Sequence, residues 1–365
     1  MNLFREICAV LEAASVEYTT EKVCGYDVLL VGRKTAAIIP VSITAPDPET
    51  ALRDADSLKA AVTEIVRLKG LYPLTIAEDR WRRQNEMMRA RLLAHARIFT
   101  QIYARNCEVR KIDRQTAAEF LDKNHSYGDA KCRYRYGLYL KRHTGHNAEA
   151  FLNRTKILKS KDGELTGMAE GVDTSGHPDS GIAPGTLVAV ATFSNARKWI
   201  KGDKTIRSYE WTRYASRPGV RLSGGMGKLL KAFIEEVLPD DIMTYADLEW
   251  SEGKVYEALG FALEGHKEPV NFYIDASWRR FSRLAQATSP TAPLQPSTVT
   301  ATSTPTAVTA TSTPTAVIET SQPPTVTATS TPTAVTATSL RAKRGNLYFQ
   351  NMGSNKYRLK LTDYQ

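Results

Sequence analysis

The chain has 365 residues, 42% of them apolar and 24% charged, which is a globular composition in a length exceeding one ordinary domain. Its formal charge of +10 points to an anionic partner, a nucleic acid or a phosphate-bearing cofactor. No run approaches the roughly 18 apolar residues of a membrane span.

Met1–Ala14, broken by Arg5, Glu6 and Glu12, reads as an amphipathic helix rather than a secretory signal. Tyr26–Val31 and Thr35–Ile43 are β-rich around a Gly32-Arg33-Lys34 turn, and Pro46–Lys69 reads as a helix opening on Asp47-Pro48-Glu49. L-T-I-A-E-D-R-W (Leu74–Trp81) precedes a basic helix to about Ala96. Ile102–Val109 then leads to a helix ending F-L-D-K-N-H-S-Y-G, Phe120–Gly128. Cys8, Cys24, Cys107 and Cys132 are scattered without a C-x-x-C pair, so reduced thiols and a cytoplasmic location are expected rather than a disulfide framework or zinc site.

The E-D-R-W segment, the Y-A-R-N-C-E-V strand and the F-L-x-x-N-H-x-x-G helix end resemble a class of phage and mobile-element proteins. In those, a very-short-patch-repair-like nuclease domain precedes an acyltransferase-like one. The resemblance implies clustered carboxylates holding a divalent metal against a phosphodiester. Asp27 matches the first ligand, but Ala36–Val41 offers no Asp, Glu or Gln for the second, and Glu78 and Asp79 lie elsewhere in the pattern. The resemblance therefore implies a degenerate nuclease-like domain, structural or DNA-contacting, with no metal site.

Farther on, Arg135–Lys141 and Gly185–Ser194 read as a meander pair separated by a polar insertion, Arg142–Pro184, and Ser208–Ala215 alternates like a third strand. His125 is either a helix-end residue or a substrate contact. Arg133, Arg135, Lys141 and Arg142, interleaved with Tyr134, Tyr136 and Tyr139, form a basic-aromatic stripe suited to phosphate contact and base stacking, although a strand splits such a run between two faces.

Next comes R-P-G-V-R-L-S-G-G-M-G-K-L-L-K (Arg217–Lys231), a glycine-rich turn opening into an amphipathic helix. Helix N-terminal N–H groups are unpaired and favour an anion, and Gly224, Gly225 and Gly227 let phosphate approach without a Cβ in the way. A strand at Asp241–Asp247, a helix end G-K-V-Y-E-A-L-G-F (Gly253–Phe261) and a strand at Asn271–Ile274 follow.

This order resembles GNAT acetyltransferases, whose R/Q-x-x-G-x-G/A signature cradles the pyrophosphate of acetyl-CoA; R-L-S-G-G-M-G departs slightly from it, since counting from Arg221 puts Gly224 in place but Met226 where the last Gly or Ala belongs, with Gly227 one residue later. The domain resembles that of the phage-borne proteins named above and also Mom-type DNA-modification proteins. The resemblance implies that Ser223, Gly224, Gly225, Met226 and Gly227 hold acetyl-CoA or another acyl-CoA by their backbone, with Arg221 and Lys228 adding charge. Tyr256 matches the tyrosine that protonates the leaving thiolate, or packs beside Phe261. Glu210 is the candidate general base, or an exposed strand carboxylate. Asp247 faces the same cleft or caps the next helix.

From Leu284 to Leu340 the one charged residue is Glu319, and T-A-T-S-T-P-T-A-V recurs at Thr300–Val308, Thr309–Val317 and Thr327–Val335 with a degenerate copy between. Proline in each copy and few large apolar residues mark a disordered linker. Asn346–Gln350 resembles part of a protease-tag scar. Gly345 stands where such a tag needs Glu, however, and the alternation Tyr357, Leu359, Leu361 marks a terminal strand returning to complete the preceding domain.

The expected architecture is α/β (α+β): a nuclease-like domain over 1–110, a GNAT-like mixed sheet with flanking helices over 111–283, a linker over 284–340, and a completing strand within 341–365. The expected function is acyl-CoA-dependent N-acyl transfer, with DNA as an acceptor. The alternatives are a non-catalytic nucleic-acid-binding protein with a GNAT-like fold and a metal-dependent nuclease.

Overall fold

The computed structural model describes residues 2–32, 36–141, 182–282 and 347–363. They belong to one compact unit of mixed α/β content, Met1–Pro290 with Asn346–Gln365. The turn residues Arg33 and Lys34, most of the predicted insertion and the whole repeat lie outside the described residues.

Helix α1 (Leu3–Ala13) starts at Asn2, whose side chain accepts from the Arg5 amide at 2.9 Å. Strands β1 (Tyr18–Val23), β2 (Tyr26–Val31) and β3 (Ala36–Val41) form an antiparallel meander, and β4 (Leu74–Ala77) joins β3 in parallel after the crossover helix α2 (Pro48–Lys69). Asp47 caps α2, Pro48 occupies its first turn, and Gly70 ends it at φ +65°. The sheet is covered on both sides. Leu29, Val31, Ile38, Leu74 and Ile76 share a core with α1, whereas Val28, Leu30, Ala37, Ile39 and Val41 share one with α2. Burial on two faces explains why Ala36–Val41 is continuously apolar.

Helices α3 (Glu78–Arg83) and α4 (Asn85–His95) lead to β5 (Thr100–Tyr103) and β6 (Cys107–Lys111). Then follow α5 (Arg114–Asn124), β7 (Tyr134–Leu140), β8 (Leu187–Phe193), β9 (Arg197–Lys201), β10 (Lys204–Ser216), β11 (Val220–Ser223), α6 (Gly225–Val237), β12 (Asp241–Asp247), α7 (Lys254–Ala258) and β13 (Ala262–Lys267). The last elements are β14 (Asn271–Ile274), β15 (Arg280–Phe281), β16 (Leu347–Gln350) and β17 (Ser354–Lys360).

The large sheet runs β13-β17-β12-β10-β8-β7-β6, with β9 continuing beside β10. Helix α6 packs Leu229 and Phe233 on one face, where the Phe193 and Phe233 rings stack with centroids 3.9 Å apart. Helix α5 covers the other with Ala117 and Leu121 over Val190 and Ala215.

Two boundaries differ from the sequence expectation. Residues 100–110, expected in the first domain, pair with the second: β5 lies parallel to β11, β6 edges the large sheet, and Ile102 and Cys107 are in its core. The chain end serves both regions. Strand β17 enters the large sheet between β12 and β13 as expected, but β16 pairs with β14, and Phe349 and Met352 join the core of α2. The tag-like Asn346–Gln350 thus contains a strand with a buried phenylalanine.

Tyr357 carries the inserted strand's main anchor. It is 1% exposed, its hydroxyl donates to the Glu252 carbonyl at 2.8 Å, and its ring occupies the space a Cβ at Gly253 (φ +95°) would need. Tyr357→Ala is expected to cost about 3–5 kcal/mol in urea denaturation, as for other large buried rings.

Candidate active site

The parallel pair β10–β12 is short. Its register covers Ser208–Glu210 against Asp241–Met243. Beyond Glu210 a bulge between Trp211 and Arg213 carries β10 along β8, while Thr244–Asp247 of β12 continues along β17. The two strands therefore part toward their C-terminal ends. Thr244 Oγ1 bridges the start of the gap by donating to the Trp211 carbonyl at 3.1 Å.

Helix α6 opens near this gap. Gly224 stands at its N-cap with φ +75°, a conformation costly for any residue with a Cβ, and no side chain caps the helix. Lys228 N bonds back to the Gly224 carbonyl, and the amides of Gly225, Met226 and Gly227 have no acceptor among the described residues. A Cβ at Gly225 would lie 2.5 Å from the Leu222 side chain and 3.2 Å from the Tyr214 hydroxyl, so glycine allows α6 to start against the sheet. Gly227 is backed by Leu259 at the end of α7.

The predicted anion-binding side chains behave differently from their backbones. Lys228 Nζ donates to the carbonyls of Ala104 and Cys107 at 2.9 and 2.6 Å, so it fastens the turn before β6 instead of standing free for a phosphate. Arg221 is exposed and lies over the Phe99 ring, while Ser223 Oγ accepts from Gln101. What remains for an anion is the backbone at Gly225–Gly227.

Tyr256 does pack beside Phe261, and also against Trp211 and Tyr357. Burial raises its pKa above the usual phenol value, so the hydroxyl is neutral and can donate. Tyr214, unremarked in sequence, is likewise raised by burial and by the nearby Tyr256. Glu210 is half-buried on β10, its amide tied to Ser194 Oγ, with the Arg213 guanidinium as its charged neighbour.

Asp247 does not cap α7, whose N-cap is Gly253. It closes its own turn, accepting from the Glu249 amide at 2.9 Å, and takes the Tyr127 hydroxyl at 3.0 Å. Burial, then the charge of Glu249, raise its pKa. Below it lies a buried ionic group: Arg280 binds both Asp79 and Glu249, and Arg80 lies 3.5 Å from Glu249. Burial would lower the Arg280 pKa, but the two carboxylates outweigh it and raise it well above normal. The same loop is held through its carbonyls, with Leu248 accepting from Tyr72, Glu249 from Thr75 and Trp250 from Arg91.

His125 ends α5, where its Nδ1 accepts from the Tyr127 amide. Burial, then the guanidiniums of Arg213 and Arg80, push it down to about 3. The basic-aromatic stripe is divided: Tyr134 and Tyr136 pack on Phe233, Arg135 donates to the Cys132 carbonyl, Tyr139 lies under Arg110, Arg133 and Lys141 are exposed, and Arg142 lies outside the described residues.

Asp27, on β2, pairs with Lys22 across the strand at 2.8 Å. Among the described residues no group of three or more His, Cys, Asp or Glu is placed to hold a metal. Asp27 also borders a cleft of about 400 Å³ that includes Asp54, Ser42 and Tyr348. Glu78 is engaged by Arg82, and Asp79 by Arg280. The four cysteines are free thiols, and no described helix is long and apolar enough to cross a membrane. No family model matches the chain, and no curated protein matches it.

Two outcomes follow from these burials. Arg280→Met leaves Asp79 buried without its cation and Glu249 with Arg80 alone, and is expected to cost about 3–5 kcal/mol by urea denaturation. The unfolded imidazole of His125 protonates near 6.5 and the folded one near 3. Its contribution is therefore complete above that unfolded value and falls as pH drops, by at most about 1.4 kcal/mol per unit. His95, lowered to about 4, adds to the loss. His125→Asn, which keeps an acceptor for the Tyr127 amide, should flatten the urea midpoint against pH between 6 and 4, roughly one proton less in the linkage slope.

Proposed function

We propose that the chain is an acyl-CoA-dependent N-acyltransferase of the GNAT type, using acetyl-CoA or another acyl-CoA. The observation that carries the reading is the parting of β10 from β12 beside the uncapped start of α6. A gap between strands leaves backbone donors and acceptors available to an extended ligand that contains amides, as pantetheine does. An uncapped, glycine-lined helix start favours a diphosphate. The two features lie on consecutive elements, as one ligand with both groups requires. The strand order β6-β7-β8-β10-β12-β17-β13, with its single internal parallel pair, also supports the likeness.

In this reading the amides of Gly225, Met226 and Gly227 hold the pyrophosphate, and Gly224 keeps its approach clear. Bound acyl-CoA supplies the acyl group as a thioester. Glu210 accepts the proton of the incoming amine, with Arg213 orienting the carboxylate. Tyr256 donates its hydroxyl proton to the leaving sulfur; its raised pKa keeps that proton in place at neutral pH. Asp247, bonded to Tyr127, positions the loop before α7 rather than moving a proton. Location in the cytoplasm fits the free thiols, and DNA is the acceptor class that the basic charge favours.

Acetyl-CoA at about 100 times its dissociation constant should stabilise the fold by about 2.7 kcal/mol, read as a rise in Tm. Met226→Glu, which places a carboxylate among the free amides, should abolish that rise. Glu210→Gln should keep the rise and lower amine acetylation by about 100-fold or more. The absence of both binding heat and a Tm shift with acetyl-CoA would sink the reading.

A further inference from the structure

The hairpin formed by β9 and the start of β10 projects from the large sheet. From Arg197 to Thr205 every residue is exposed, and over Lys204–Arg207 the β10 partner is β9 alone. Its sequence is R-K-W-I-K-G-D-K-T, with Gly202 at φ +58° in the turn. Arg197, Lys198, Lys201 and Lys204 form no ion pair among the described residues; Lys204 touches the Asp363 carbonyl, and Asp203 is the arm's one carboxylate.

Folding alone gives no reason for this composition. The register sets Lys201 opposite Lys204, and like charges directly across a ribbon repel; Lys198 faces Arg207, whose charge Asp240 offsets at 3.5 Å. Between them Ile200 is 77% exposed and Trp199 37% exposed, leaving apolar area in water. Lysines also guard free strand edges against pairing, but a guard gains nothing from an exposed Ile and Trp beside it. Each unfavourable feature reverses against a polyanion with apolar groups in a groove.

We propose that this hairpin is a docking arm for duplex DNA. A two-stranded ribbon fits the major groove of B-form DNA, about 12 Å wide, whereas the A-form groove of duplex RNA is too narrow to admit it. The four cations contact phosphates, and Ile200, on the ribbon face it shares with Lys198, meets base edges and thymine methyls; Trp199 lies on the opposite face, across from the buried Ile206. Glu210 lies six residues beyond Lys204 on the same strand, roughly 20 Å at 3.3 Å per residue, about the width of a duplex. The arm as a DNA contact stands apart from acyl transfer; that it presents the acceptor to Glu210 rests on the reading above.

The test is fluorescence anisotropy of a labelled duplex of about three helical turns across a salt series, with the full chain and a Lys198→Ala, Lys201→Ala, Lys204→Ala variant. The variant should weaken binding at least about tenfold near 0.1 M salt and reduce the log–log salt slope by about 2.7, at roughly 0.9 per phosphate contact. Ile200→Ser should weaken binding with the slope unchanged. Because all the altered side chains are exposed, Tm should stay within the range of surface substitutions. Equal affinity and slope in the triple variant, or no duplex binding by the parent chain, overturns the proposal. Equal or tighter binding of single strands or duplex RNA overturns the major-groove assignment. Acetyl-CoA calorimetry on the triple variant separates the two readings: retained heat with lost DNA binding leaves acyl transfer intact, and arm-dependent DNA binding without acetyl-CoA heat leaves the arm intact and removes acyl transfer.

Discussion

Arg280, on β15, ties the end of the four-stranded sheet to the end of β12 in the large sheet. Its guanidinium is withdrawn from water and pairs with Asp79 at the start of α3 and Glu249 just past β12, residues 201 and 31 positions away. Removing a partner from such a buried pair costs several times the net worth of a neutral hydrogen bond, about 1 kcal/mol. That difference makes this contact dominate the loop's position over the single bonds from Tyr72, Thr75 and Arg91. The segment Leu248–Gly253 connects β12 to α7, so the placement of Tyr256 depends on residues between Tyr72 and Arg91 in a different sheet. The first region then has a physical role that needs no nuclease chemistry.

The same logic explains the empty positions of the first sheet. A carboxylate at Ala37 or Ile39 would point into the core of α2, and one at Ile38 into the core of α1. Either would be stripped of water with no cation to offset the loss. The sheet is built as a two-sided apolar layer, and Asp27 is left at its margin with Lys22. At the other sheet the arrangement is reversed: the start of α6 leaves the amides of Gly225, Met226 and Gly227 without an acceptor among the described residues, while Thr244 Oγ1 donates to the Trp211 carbonyl where β10 and β12 part. Lys228 is directed to two carbonyls, so attraction for an anion there comes from aligned peptide dipoles, which keep a fixed geometry that a flexible ammonium does not.

Local signals were readable wherever one residue determines one local outcome. Asp47 before Pro48 marks the start of α2; D-I-M-T-Y-A-D gives β12 at its own limits; Tyr357 and Leu359 give a strand. Long-range partners were not readable. Nothing in E-D-R-W says that Asp79 will meet an arginine 201 residues later, and nothing in the tail divides β16 from β17 between two cores. At the candidate site the glycines were legible because their backbone requirement is local. Lys228 was misjudged because its partners, Ala104 and Cys107, come from a turn more than 120 residues earlier. Tyr127 and Tyr214 became visible only when packing brought them to Asp247 and Gly225.

The chain's basic charge shows why composition is a poor guide to a binding surface. Many of its cations are already engaged: Arg82 with Glu6 and Glu78, Lys69 with Glu21, Arg358 with Asp241 and Glu264. The Arg133–Lys141 run has aromatic neighbours in sequence, but β7 is an interior strand, so Tyr134 and Tyr136 pack in the core and Arg135 donates to a local carbonyl, leaving Arg133 and Lys141 exposed at its two ends. Arg197–Lys204 has the same composition on a ribbon exposed along its length, where Lys201 and Lys204 face each other with no ion pair among the described residues. A strand's place in the sheet, more than its residues, decides whether positive charge is spent on folding or remains available to a partner.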